Sequence, residues 1–294
     1  MSTRPLIAYG FVIPAILALG VLTLYPVLFG LYTSLHSWNW LAGQAENMTF
    51  KGLGNYIELL KDPYFLNSIG RTLYFTLLAV GIQFILGFTV ALLLNEEIKG
   101  SWFFRSAVIF PMMISDIVAA LIWRSLLDPT LGPLNYYLEM LHIPAPNWLA
   151  STSAVIPGLA MVDTWWQTGN IALILLAGLQ SLPKDRFEMA QVDGASGWKM
   201  LRYITIPGLK PFILVALIFR TIDCLRVFAL SWGITAGGPM RASEVSQLYI
   251  YSQGVGRLLR MGYSAALAIA FSLIVGVIAG VYIYLLQKGR VQHA

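Results

Sequence analysis

Three stretches of this chain are long enough to cross a lipid bilayer and hold no charged residue: Leu6–Leu35, Thr72–Asn95 and Met261–Gln287. A helix needs about 20 mainly apolar residues to span the hydrocarbon core. In lipid every backbone N–H and C=O must be satisfied within the segment, so each stretch predicts a transmembrane helix. Three more segments, Ser106–Leu127, Ala154–Leu179 and Pro207–Trp232, have the length but carry ionisable groups: Asp116, then Asp163, then Arg220, Asp223 and Arg226. The expected fold is an all-α integral membrane protein of about six spans, forming one membrane domain over residues 1–294. Composition agrees, since 57% of residues are hydrophobic and 11% charged, against about a quarter charged in soluble domains. Leu6–Leu35 is longer than the apolar core of a signal peptide, and no small-residue cleavage pattern follows, which predicts a retained first span.

The formal net charge of +5 fits basic cytoplasmic loops in a membrane protein better than nucleic-acid binding. One cysteine, Cys224, excludes an intramolecular disulfide framework. His36, His142 and His293 lie far apart, so neither a histidine metal site nor histidine catalysis is expected. The chain lacks G-x-x-x-x-G-K-[ST], H-E-x-x-H and G-x-S-x-G, so no catalytic residue is expected and no nucleotide should be hydrolysed by this chain alone. Six spans put both termini on one side. Basic residues are slightly more numerous there, and the cluster from Lys184 to Arg202 is easier to retain than to translocate, so the termini are expected in the cytoplasm. The outer segments are then 36–71, 128–153 and 233–260. Their aromatic residues, among them Trp38, Trp40, Tyr56, Tyr64, Tyr136, Tyr137 and Trp148, suit anchoring at the membrane interface.

Polar groups inside spans are costly in lipid and mark function by default. In the fourth span Asp163, Trp166, Gln167 and Asn170 follow i, i+3, i+4, i+7 spacing and share one helical face. A carboxylate, two carboxamides and an indole suit a polyol: the polar groups exchange hydrogen bonds with hydroxyls while the ring covers a C–H face. The same stripe could instead hold neighbouring helices. Arg220, Asp223 and Arg226, at i, i+3, i+6, can neutralise one another within the fifth span and still leave an arginine donor for a substrate. With alternating span directions, Asp116, Asp163 and Arg220 fall at similar depth and could meet in one cavity.

Charge is concentrated between Leu182 and Pro211, in Lys184, Asp185, Arg186, Glu188, Asp193, Lys199, Arg202 and Lys210. Pro183 suits a first helical turn with Asp185 and Glu188 near its positive end. Gly194 permits a sharp turn, and Trp198–Tyr203 predicts a second short helix. Two short helices about a glycine look like a docking element for another protein.

This stretch also resembles a known family. Glu188-Met189-Ala190, Asp193-Gly194-Ala195, Ile204 and Ile206-Pro207 are similar to the EAA–DGA–I-x-L-P signature of binding-protein-dependent ABC importer permeases. Three patches resemble its carbohydrate-uptake, maltose-permease-like branch: Phe50–Tyr56 (FKGLGNY), Thr235-x-Gly237-Gly238-Pro239 and Gly262–Ala266 (GYSAA). Met189 and Ile206 depart from the usual small residue and leucine. The resemblance implies a type I importer permease fold whose loop 182–206 inserts as a coupling helix into a cytoplasmic ATPase, through Glu188, Met189, Ala190, Asp193, Gly194, Ala195, Ile204 and Pro207. It implies a second homologous permease, two ATPase subunits that bind ATP and Mg, and an extracytoplasmic solute-binding protein. No cofactor is implied in this chain, and the location is the cytoplasmic membrane of a bacterium or archaeon. The substrate path would involve Asp116, Asp163, Trp166, Gln167, Asn170, Arg220 and Asp223, and the cargo would be a sugar. Glycerol-3-phosphate or polyol uptake, with an arginine meeting the phosphate, is the alternative within the class. An ion-coupled secondary transporter using Asp116 and Asp163, or an intramembrane enzyme, lies outside it.

Overall fold

The longest charge-free stretches form the longest helices. The structure is a computed structural model that describes residues 4–40, 48–96, 99–144 and 146–291. Helices α1 (Arg4–Leu19) and α2 (Tyr25–Ser34) are joined by a widened π turn, Gly20–Leu24. Pro26 explains the widening: it has no N–H, and its ring clashes with the carbonyl four residues back, so the ladder loosens just ahead of it. From Val12 onward this helix shows its apolar side chains to the outside, as a lipid-facing span would. Among the described residues, Val12–Ser34, Pro63–Asn95 and Met261–Lys288 are each long and apolar enough to cross a membrane.

The second predicted span starts earlier than its apolar run. Helix α4 (Pro63–Asn95) follows α3 (Gly54–Leu60) and begins where Asp62 accepts the backbone N–H of Tyr64 at 2.9 Å and of Phe65 at 3.4 Å. Pro63 takes the first helical position, where a missing N–H costs nothing. The third predicted span is not a single helix. It divides into α5 (Ser101–Ile109), a 3-10 turn at Pro111–Met113 and α6 (Asp116–Leu126), bent by 97°. Pro111 cannot continue the ladder of α5, and Ile114 and Ser115 are extended (ψ 136° and 142°), so Asp116 opens a new helix.

Past α7 (Pro133–Met140), the fourth predicted span is one helix, α8 (Val155–Ser181). The charged stretch folds as α9 (Lys184–Val192) and α10 (Gly197–Met200). The predicted fifth span is divided between α11 (Ile206–Leu225) and α12 (Ala229–Thr235), with α13 (Ser246–Tyr251) and α14 (Met261–Val291) completing the chain. Helices α8 and α11 carry Asp163, Gln167, Asn170, Lys210, Arg220 and Asp223, and are therefore more polar than the three long helices.

The chain packs as two units. One comprises residues up to Leu66 together with Tyr249–Ile274. Here β1 (His36–Ser37) pairs antiparallel with β2 (Thr49–Phe50). The buried amide of Asn55 donates to the carbonyls of Ser34 at 2.8 Å and His36 at 2.9 Å, pinning α3 under this ribbon. Asp62 also accepts the phenols of Tyr249 and, at 2.6 Å, Tyr263. Partial burial pushes the Asp62 carboxyl upward, but these phenols and the two backbone N–H groups outweigh it and hold it below its ordinary value. The GYSAA patch has a steric reason: a Cβ on Gly262 would lie 2.0 Å from the His36 carbonyl oxygen. The other unit comprises Asn67–Leu248 and Val275–Ala294. Helix α8 runs through its core, with α11 close enough that a Cβ on Gly178 would meet Phe212 at 2.6 Å.

Gly262→Ala should destabilise the protein by about 1–3 kcal/mol, the usual cost of overpacking, read as a lower unfolding midpoint in detergent. Gly276→Ala, where a Cβ meets nothing within 4 Å, should leave the midpoint unchanged.

Candidate functional site

Helix α8 can carry a carboxylate because protein, and not lipid, surrounds it there. Asp163 is 4% exposed and Arg220, on α11, is 3% exposed. They form an ion pair of 2.8 Å from Arg220 Nη2 to Asp163 Oδ2. A third residue completes a ring: the amide of Gln83, on α4, donates to Asp163 Oδ2 at 2.7 Å, and its oxygen accepts Arg220 Nε at 2.8 Å. Arg220 Nη2 also reaches Cys224 Sγ at 3.1 Å, and Nη1 reaches Asp223 Oδ2 at 3.4 Å. Removing two charges from water is expensive, and full pairing with saturated hydrogen bonds is what makes it tolerable.

Beside this lattice lies a cavity of about 400 Å³. Six of the seven residues expected along a substrate path line it: Asp116, Asp163, Trp166, Gln167, Arg220 and Asp223. Asn170 does not; its amide donates to the Gln167 side-chain oxygen. Asp116 reaches the cavity because of the bend between α5 and α6. It stands at the first residue of α6 and accepts the N–H of Ile117 at 2.8 Å. Trp166 helps to hold that bend, since its indole N–H donates to the Ile114 carbonyl at 2.9 Å. The indole is therefore spent on structure, and only its ring face remains for a ligand. Trp165 lies edge-on to Trp123 of α6, at 5.5 Å.

The expected self-neutralising set on the fifth span is reorganised. Arg220 pairs chiefly with Asp163 on another helix, because burial demands a full-strength partner. Asp223 makes the longer contact, with its side chain 65% exposed, and Arg226 is exposed where α11 ends. Arg226, Val227 and Phe228 form the break between α11 and α12, and all three line the cavity. Sequence reasoning missed Gln83 and Cys224. Gln83 had a readable signal: it is the sole carboxamide in the middle of an uncharged span. Cys224 had none beyond its i+4 spacing from Arg220.

The charged stretch folds as expected in its first half. Helix α9 ends in a Schellman motif: Gly194, at φ +74°, donates to the Gln191 carbonyl at 3.0 Å, and the Ala195 N–H to the Ala190 carbonyl at 2.9 Å. Ser196 caps α10, accepting the Lys199 N–H at 3.4 Å. The second half differs. No separate short helix ends before Pro207; the helix runs from Gly197 through a π turn at Leu201–Thr205 into α11, again widening just ahead of a proline. Glu188, Asp193, Gly194 and Pro207 are exposed, whereas Ala190, Ala195 and Ile204 are half-buried. Met189, at 67% exposure, sits on the surface with Val192 (88%) and Trp198 (70%), so its bulk meets no packed neighbour here. Behind α9 opens a cleft of about 1170 Å³ that Glu96, Arg105, Lys184 and Glu188 help to line.

Residues 83–293 match the family model described as binding-protein-dependent transport system inner membrane component. The chain is 34% identical to the trehalose/maltose transport system permease protein MalF of Thermococcus litoralis, over 84% of this chain and 82% of that one. It is equally 34% identical to the trehalose transport system permease protein SugA of Mycobacterium tuberculosis, over 97% and 90% of the two chains. In fold it matches a chain of a bacterial alginate ABC transporter, solved in complex with an alginate pentasaccharide-bound periplasmic protein, at TM-score 0.83 and 24% identity, over 97% and 95% of the two chains.

The Gln83–Asp163–Arg220 lattice falls wholly within the matched residues. Arg220→Met should cost about 3–5 kcal/mol by stranding a buried carboxylate. The double variant Arg220→Met/Asp163→Leu should recover most of that loss, as read from unfolding midpoints of the purified protein.

Proposed function

The chain belongs to the family of binding-protein-dependent transport system inner membrane components, and from that premise we propose that it is the permease subunit of an ATP-driven sugar importer. One observation carries the reading: a polar cavity built at two helix breaks, in a chain that also holds three helices long and apolar enough to cross a bilayer. Broken helices at membrane depth are how transporters place polar backbone and side chains around a solute. A volume of about 400 Å³ lies within the range of about 300–1,000 Å³ usual for small-molecule sites. Asp116, Asp223 and Gln167 offer hydrogen-bond partners for hydroxyls, and the Trp166 face offers a surface for a sugar's C–H groups. The names of the similar permeases, for trehalose and maltose, support the same class of cargo. For a phosphorylated cargo Arg220 is not available, because it spends its donors on Gln83, Asp163, Cys224 and Asp223, and Arg226 is the arginine of the cavity wall that would meet the phosphate.

In this reading α8 and α11 are the fourth and fifth of six spans in a multi-pass chain with both termini in the cytoplasm. The α9–α10 hairpin docks on an ATPase subunit, which binds ATP and Mg, and a second homologous permease completes the path. Exposed Glu188, Met189, Val192 and Trp198 give the hairpin a mixed charged and apolar face of the kind that docks. Solute arrives from an extracytoplasmic binding protein, as the periplasmic protein seen with the alginate transporter suggests. This subunit performs no bond chemistry; it supplies half of the path and the lever that opens it.

Glu188→Lys in the assembled importer should abolish ATP-dependent sugar uptake while the complex still purifies intact. Normal uptake with normal ATPase association would remove the docking role. Trp166→Ala should reduce uptake at least about tenfold, the effect of about 1.4 kcal/mol, and unchanged transport kinetics would leave the cavity purely structural.

A further inference from the structure

A second pocket, of about 560 Å³, is walled by Arg71 and Tyr74 of α4, Thr152 and Ser153 just ahead of α8, Ile156 at its start, and Met240 and Ala242 beyond α12. Arg71, Ser153 and Met240 come from the three segments, 36–71, 128–153 and 233–260, that the sequence places on one side of the membrane, opposite the charged hairpin. Nη1 of Arg71 is buried and has no hydrogen-bond partner among the described residues. The nearby carboxylate does not supply one. Glu244, 5% exposed, is held by Arg241 at 2.5 Å. Ser153 shares its hydroxyl with Ser151 at 3.1 Å. A buried guanidinium donor with no acceptor is costly, and the cost is recovered when an anion enters.

We infer that Arg71 anchors a docking site for an acidic side chain of the solute-binding protein; this rests on the importer reading above. A guanidinium fork takes a carboxylate in two-point contact, and Thr152 and Tyr74 line the same pocket with hydroxyls that can donate. Met240, 90% exposed, adds an apolar side chain to the pocket wall that would shield such a pair from water when a partner covers it. The pocket also lies on the face from which solute would be delivered. Contact there would report that a binding protein is seated.

The test uses the full importer, assembled with its partner subunits in nanodiscs, and measures association of the binding protein by biolayer interferometry at low and high salt. Arg71→Gln should raise the dissociation constant about tenfold or more, an effect that shrinks as salt rises, and Arg71→Lys should fall between it and the wild type. Arg124→Gln, at an exposed position on α6, should bind like the wild type. Restoring affinity to Arg71→Glu with a carboxylate-to-arginine change in the binding protein would identify the paired residue. Wild-type affinity in Arg71→Gln overturns the inference and leaves the pocket to water. So does an Arg71 effect seen only in phosphatidylglycerol discs and absent in phosphatidylcholine discs, which would assign the pocket to a lipid headgroup. If the wild-type complex itself binds no solute-binding protein, the importer reading falls, and this docking site with it.

Discussion

The Asp163–Arg220 pair is the interaction on which the interior depends. An isolated charge in this setting would be prohibitive, so the two residues bind the helices that carry them, and Gln83 ties in a third. Helices in lipid gain little from hydrophobic attraction to one another, because acyl chains are as apolar as leucine side chains. Close approach at small residues and a few polar contacts must therefore specify the arrangement. Gly178 against Phe212, Gly233 against Ala120 and the Gln83–Asp163–Arg220 ring do this in the larger unit.

The same economy explains the cavity. Satisfying Arg220 internally commits its donors to the protein and leaves Asp116, Asp223 and Arg226 as the charged groups of the cavity wall. Trp166 belongs to both sides of this division. Its N–H holds the Ile114 carbonyl at the helix break, and its ring closes the cavity wall. The site and the bend that creates it are one construction, so a change at Trp166 alters the position of Asp116 as well as the ring a sugar would meet.

Much of this was legible in the amino-acid order. Length and absence of charge located the three long apolar helices, and helical spacing placed Asp163, Trp166 and Gln167 on one face. Pro183 and Gly194 marked the hairpin. The rest depended on contacts that spacing does not encode. The break after Arg226 contains neither proline nor glycine, so no local signal announces it. The choice of Asp163 over Asp223 as the main partner of Arg220 is made by depth of burial, across 57 residues of sequence. The Pro111 signal was present, yet an apolar run of span length masked it, since hydropathy counts residues and does not see whether a helix can stay straight. The patches FKGLGNY and GYSAA also acquire a cause: Asn55 and Gly262 both meet the backbone at His36.

The unbroken helix from Gly197 to Leu225 has a mechanical consequence. At about 1.5 Å per residue it is a rod of roughly 40 Å, with the exposed hairpin at one end and Arg220 near the other. One continuous backbone therefore joins the hairpin to half of the central ion pair, with no relay of side chains between them. In the proposed importer, the π turn at Leu201–Thr205 would set how much of a stroke at the surface arrives at the cavity.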